Sequence, residues 1–162
     1  MEFKERGYRV MFKDTITVFN RYIDSLGAIT WYPTVIHNVN VNMDKASIIA
    51  KYGVESRDSV VLNVPYKIID GVKKVAEKAY LPPKEWENQT NDMLPETITF
   101  TDDAEEFDFF YVGEWLNNTP VNDDDYSREG FYNYMNDRYD YVFAITKVAE
   151  YSVIPHFEIM GA

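Results

Sequence analysis

Apolar and polar residues alternate with a period of two through much of the chain. From Ile29 to Met43 the odd positions are Ile, Trp, Pro, Val, His, Val, Val and Met, while the even ones are Thr, Tyr, Thr, Ile, Asn, Asn and Asn. Successive side chains of an extended strand point to opposite faces, so this run predicts a long strand with one buried face, bent at Pro33. The preceding "KDTITVFNRYI" is β-branched and aromatic, and "DSLG" (Asp24 to Gly27) reads as a turn, giving an antiparallel hairpin. "DSVVLNVPYKII" places Val60, Leu62, Val64 and Tyr66 on one face, and Asp70-Gly71 is a tight-hairpin signal with Val72 to Val75 beyond it. Strand character resumes in "TITF", "FDFFYVGEW", "YVFAITKVA" and "SVIPHFEIM", where Pro155 predicts an edge or a bulge. Helical signals are few. Asp44 can cap "KASIIAKY" with Gly53 as its C-terminal residue, and the proline-rich stretch 80–96 reads as an irregular connection with one helical turn after Pro83. The fold expected is mainly β: a small antiparallel β-barrel or sandwich of seven to eight strands with one or two short helices. Residues 1–162 read as a single domain, with an acidic, loop-rich segment around 92–130.

One segment admits two readings. In "DYSREGFYNYMN" (125–136), Asp125, Ser127, Glu129 and Gly130 match positions 1, 3, 5 and 6 of a calcium loop. Position 12, however, is Asn136, which supplies no bidentate carboxylate, and Pro120 disfavours an entering helix. A looser cation site at Asp123, Asp124 and Asp125 is the weaker form of the same idea. The letters fit a helix start better. Ser127 would cap a helix beginning at Arg128, Tyr126 and Phe131 would form a hydrophobic staple, and Phe131, Met135 and Tyr139 would share one face against the final hairpin.

Charge is concentrated in the same region. The net charge is −11, yet residues 92–140 alone hold 14 acidic and 2 basic side chains. Such a face repels phosphate, so sequence-independent binding of nucleic acid through it is not expected; a basic partner, a cation or simple solubility would suit it. Aromatic residues make up 16% of the chain, with 13 tyrosines. Two readings fit that excess equally, an aromatic β core and a protein–protein contact surface.

Catalytic and cofactor chemistry finds little to stand on. There is no cysteine, which excludes disulfides, thiolate metal sites and thiol nucleophiles. No G-x-S-x-G, G-x-G-x-x-G or P-loop spelling occurs. His37 and His156 lie on different strands; they would form a two-histidine metal site only if those strands paired, and otherwise read as hydrogen-bonded strand residues. No catalytic residue, cofactor or metal is therefore assigned. The opening "MEFKERGYRVMF" has no apolar leader and no 18-residue apolar run occurs, so a protein made in the cytoplasm with no membrane partner is expected.

The stretches "MFKDTITVFNRY", "WYPTVIHNVNVN", "YLPPKEW" and "DFFYVGEW…GFYNYMNDRYDYVFAITKVAEYSVIPHFEIMG" resemble small uncharacterised proteins from the structural modules of tailed phages and prophages of Gram-positive bacteria. The opening is also similar to minor capsid or head–tail connector proteins of the head-completion (stopper) type. The resemblance implies a non-enzymatic virion subunit. It would act as a homo-oligomeric ring docked to portal, adaptor and tail proteins, lining a DNA channel passively and without sequence-specific nucleic-acid binding. The acidic middle segment has no counterpart in the smallest stoppers. On this reading Tyr126, Phe131, Tyr132, Tyr134, Met135 and Tyr139, with Trp31, Tyr32 and Trp115, are candidate interface residues. The alternative is a small β-module that binds a ligand, cation or glycan.

Overall fold

The computed structural model describes residues 12–43, 60–126 and 128–162. Eleven strands are formed among them. β1 (Asp14–Ile23), β2 (Ile29–Asn42), β3 (Val60–Pro65), β8 (Phe109–Val112), β9 (Val121–Asn122), β10 (Val142–Tyr151) and β11 (His156–Gly161) make one antiparallel sheet in the order β1-β8-β10-β11-β3-β2-β9, and β1 also pairs with β2. A second, four-stranded sheet runs β4 (Lys67–Ile69), β5 (Val72–Val75), β6 (Lys78–Tyr80) and β7 (Thr97–Ile98). Two short helices, α1 (Pro83–Glu87) and α2 (Phe131–Arg138), complete the fold. The expected helix over "KASIIAKY", with Asp44 and Gly53, falls outside the described residues, as does the capping role expected of Ser127.

The large sheet folds over itself because two long strands each serve both halves. The first part of β2 pairs with β1, whereas Asn40–Asn42 pair with β3. Likewise Val142–Ala144 of β10 pair with β8, and the rest of the strand pairs with β11. Each hand-over falls at a register irregularity: Ile36 and Val39 of β2 oppose Ile16 and Asp14, and Ile145 and Lys147 of β10 oppose Gly161 and Met160. An extra residue in one strand bends it and lets it switch sheets at a corner, which makes the arrangement sandwich-like. The bend in β2 therefore lies at Asn38, which takes φ 59°, and not at Pro33, which stays in register opposite Phe19. Asparagine tolerates the left-handed region at modest cost, and the Asp14 carboxylate holds the corner by accepting Val41 N–H at 2.9 Å.

This parity change decides where side chains go. Before the corner, Ile29 and Trp31 join one apolar cluster and Ile36 joins the other; after it, the odd residues Val39 and Val41 face the second. The larger cluster lies between the halves and contains Ile16, Val18, Leu62, Val64, Phe110, Phe143, Ile145, Phe157 and Ile159. The expected face of Val60, Leu62, Val64 and Tyr66 is buried within it. Val75, Ile98 and Phe100 bring the four-stranded sheet onto the same cluster, and Lys78 Nζ donates to Thr34 Oγ1 at 2.8 Å across the junction. Pro155 sits in the turn before β11 and not within a strand, and its carbonyl accepts Tyr66 N–H at 3.2 Å.

Candidate functional site

The outer face of β1, β2 and β8 carries the second cluster, and the acidic segment covers it. Phe19, Trp31, Phe109, Val121, Phe131, Met135 and Val142 are buried there. Phe131 meets Phe19 at 5.1 Å and Trp115 at 5.7 Å between ring centroids, both edge-on, which is a favoured aromatic geometry. Helix α2 thus packs on β1, β2 and β8, and it reaches the final hairpin, where its seat was expected, at the start of β10. The β10 residue in this cluster is Val142, at the end paired with β8.

Helix α2 begins at Phe131, three residues later than the Arg128 start that Ser127 would have capped. Gly130 precedes it with φ 90° and has no side chain to cap with. The acceptor comes instead from Asp123: its Oδ1 accepts Phe131 N–H at 2.9 Å and Trp31 Nε1–H at 2.8 Å. One carboxylate oxygen thereby ties the helix start to the long strand β2, and its negative charge lies at the positive end of the helix. Gly130 is required twice over. Its backbone lies in the left-handed region, and a Cβ there would sit 2.8 Å from Asp123 Oδ2. The glycine that looked like position 6 of a calcium loop is thus the space in which Asp123 caps the helix. Tyr126 and Phe131 do touch, with ring centroids 4.7 Å apart, but because Phe131 is the first helical residue the contact is not the expected staple.

These facts revise the candidate residues. Trp31, Phe131 and Met135 are core, buried to 4%, 0% and 0% exposure, so they present no face to a partner. Tyr126, Tyr132, Tyr134, Tyr139 and Trp115 are half-buried around them: Tyr126 packs on Tyr134, Tyr132 on Phe107 and Tyr139 on Tyr111. Tyr32 lies apart from this group, edge-on to Trp86 at 5.9 Å and to Tyr22 at 6.4 Å. The aspartate triplet does not converge on a cation. Asp123 turns inward to its two donors while Asp124 and Asp125 stay exposed, and among the described residues no three acids or histidines come together as a metal site. The strands of His37 and His156 do not pair. His37 Nδ1 lies 3.0 Å from Thr15 Oγ1, and His156 Nδ1 lies 2.7 Å from the Ile154 carbonyl.

A polar site that the sequence did not flag lies between the sheets. Asp108 is 1% exposed and accepts three N–H groups: Arg21 N at 2.7 Å, Thr101 N at 2.8 Å and Asn20 Nδ2 at 2.9 Å. Asn20, fully buried, also donates to the Thr99 carbonyl at 2.7 Å. Burial pushes the Asp108 carboxyl up to about 7, against these N–H groups and the Thr101 hydroxyl, which favour its anion. Its partners are all groups of this chain, so the network fastens the 99–101 segment to β1. Asp108 within "FDFF" was the available signal, a carboxylate inside an apolar run.

Two surface features remain. A groove of about 310 Å³ is lined by Arg21, Tyr22, Ile23, Lys84, Trp86, Glu87, Asp102, Asp103 and Glu106, among others. On the hairpin β4–β5, Ile68, Ile69 and Val72 are 63%, 51% and 40% exposed, and Tyr151 and Val153 protrude from the neighbouring β10–β11 turn. The two turns are joined where Lys73 Nζ meets Glu150 Oε1 at 2.6 Å and where Tyr66 Oη donates to the Tyr151 carbonyl at 2.9 Å. Among the described residues no helix is long and apolar enough to cross a membrane.

No curated protein and no solved structure matches the chain. A family model does, over residues 11–162, and by that match the chain belongs to a family of unknown function (DUF6751).

Proposed function

We propose that this protein is a non-enzymatic structural subunit that acts by associating with copies of itself and with neighbouring proteins, as a head–tail connector of a phage virion would. The observation that carries this reading is the exposed apolar surface on the hairpin β4–β5 and the adjoining β10–β11 turn. Isoleucine and valine side chains held in water on an edge hairpin gain free energy by being covered, at about 25 cal/mol for each Å² buried. Further support comes from the polar groups of the interior. Asp108 and Asp123 are both engaged by the chain's own N–H donors, a structural use of the carboxylates. The virion setting rests on the sequence resemblance described above.

Analytical ultracentrifugation of the full chain across a range of concentrations tests the reading, together with pull-down of whatever proteins are encoded beside its gene, portal and tail proteins on this reading. Concentration-dependent growth in mass, or capture of a neighbour, is expected. A chain that stays monomeric and captures neither would overturn it.

A further inference from the structure

The hairpin has two distinct faces, and its register shows which residues share each. Asp70 and Gly71 form the turn with φ 53° and 77°, and across it Ile69 pairs with Val72, Ile68 with Lys73 and Lys67 with Lys74. Side chains alternate between faces along each strand, so Lys67, Ile69, Val72 and Lys74 share one face. The opposite face is committed toward its base, where Lys73 Nζ lies 5.0 Å above the Tyr66 ring, 5.7 Å above Tyr80 and 5.8 Å above Phe157 and Val75 is buried in the core, while Ile68 near the tip stays exposed. The free face therefore has two apolar residues toward the tip and two lysines at the base. Lys67 and Lys74 stand directly opposite one another, an arrangement of like charges that costs stability. Among the described residues the lysine ion pair is Lys73–Glu150, so neither Lys67 nor Lys74 has an acidic partner there. β4 is moreover, among the described residues, an edge strand, paired on one side alone.

Beyond the other edge of the same sheet lies a surface of opposite charge. β7 is that edge, and the chain leaving it forms one wall of the groove described above. Glu87, Asp102, Asp103 and Glu106 line it against Arg21 and Lys84, an excess of carboxylate, and Ile23 adds an apolar contact that is 43% exposed. The Asp103 carboxyl is held below its usual range by the N–H groups of Glu105 and Glu106, which keeps its charge in place.

We propose that the free face of hairpin β4–β5 in one copy docks on the acid-rimmed groove of a second copy. This rests on the reading of the protein as a self-associating subunit and names the two surfaces that meet. Lys67 and Lys74 gain the counter-charges they lack, and Ile69 and Val72 leave water. Because the surfaces lie beyond opposite edges of one sheet, the contact is head to tail. Each copy keeps one free surface of each kind, so the association closes into a ring or grows as a filament and does not stop at a two-fold dimer. Surface charges guide the docking, so added salt weakens it.

Charge reversal tests the pairing in the full chain. Ultracentrifugation of the wild type at low salt should give species heavier than the monomer. K67E/K74E and, separately, E87K/E106K should each weaken association by at least about tenfold, and an equimolar mixture of the two variants should restore it, since each reversed surface then meets its reversed complement. Circular dichroism and thermal unfolding establish that both variants are folded. Association that ignores both reversals overturns this interface and leaves self-association standing. Lysines that merely guard an open edge would give that outcome, because glutamates guard it equally well. A wild type that never associates overturns both.

Discussion

Removing the Asp123 carboxylate tests the account of the acidic segment most directly. Asp123 Oδ1 is the acceptor for Trp31 Nε1–H and for the first N–H of helix α2. Asp123→Ala deprives both donors at once. A hydrogen bond to a charged acceptor contributes about 1.5–3 kcal/mol, and a buried donor left alone loses its solvation as well. Trp31 is 4% exposed and Phe131 is fully buried, so water cannot readily replace the partner of either donor. A loss of about 3 kcal/mol is expected. Asp123→Asn keeps a carbonyl oxygen in the same place for both donors and gives up the charge alone, for about 1 kcal/mol. Gly130→Ala sets its Cβ against the same carboxylate at 2.8 Å, so part of its cost should vanish when Asp123 is already alanine. Urea denaturation followed by tryptophan fluorescence and far-ultraviolet circular dichroism measures all four variants, the double variant included. The reasoning is refuted if Asp123→Ala lies within about 0.5 kcal/mol of the wild type, the range of an ordinary surface substitution. It also fails if Asp123→Asn is as damaging as alanine, or if the Gly130 and Asp123 effects simply add.

Phe131→Ala and Met135→Ala should each cost about 3 kcal/mol or more in urea denaturation, because both side chains are fully buried; losses near zero would return them to the surface. Asp108 should make stability fall as pH rises. Its folded-state value of about 7 lies above its ordinary 3.8, so its contribution is complete below pH 4 and lost on the way to pH 7, to a limit of about 4 kcal/mol. Asp108→Asn should flatten the pH dependence of the unfolding midpoint in that window, and parallel wild-type and variant profiles would contradict the assignment. Gly71→Val should destabilise the β4–β5 hairpin through its φ of 77°, read as faster amide exchange across β4 and β5; unchanged exchange would speak against the turn.

Local patterns in the sequence were sufficient for most strands and for both hairpin turns, because period-two alternation and the Asp24–Gly27 and Asp70-Gly71 signals act over a few residues. The corner in β2 was assigned to Pro33 because proline is the visible strand breaker; the bend at Asn38 depends on how β1 and β3 share one strand, which no short window contains. The start of α2 was misplaced for a similar reason. Its cap lies eight residues upstream of Phe131 and also bonds Trp31, 92 positions away. Asp123 reads locally as part of a loose cation site with Asp124 and Asp125, because the engagement of a carboxylate depends on donors that arrive from elsewhere in the chain. The same holds for Asp108, whose donors on Asn20 and Arg21 come from β1.

The position of β11 bears on how the protein is made. This strand, Gly161 included, lies between β10 and β3 in the sheet order. Until it has been synthesised and has left the exit tunnel, β3 and β10 each lack a neighbour and present open backbone edges to other nascent chains. Closure of the large sheet therefore waits for β11 to emerge, and on pairings such as Phe157 with Val64 that span over ninety residues. Contacts of that span favour slow folding. In that interval wrong pairing of edges competes with folding, so overproduction should raise insoluble product, and slower synthesis at lower temperature should reduce it.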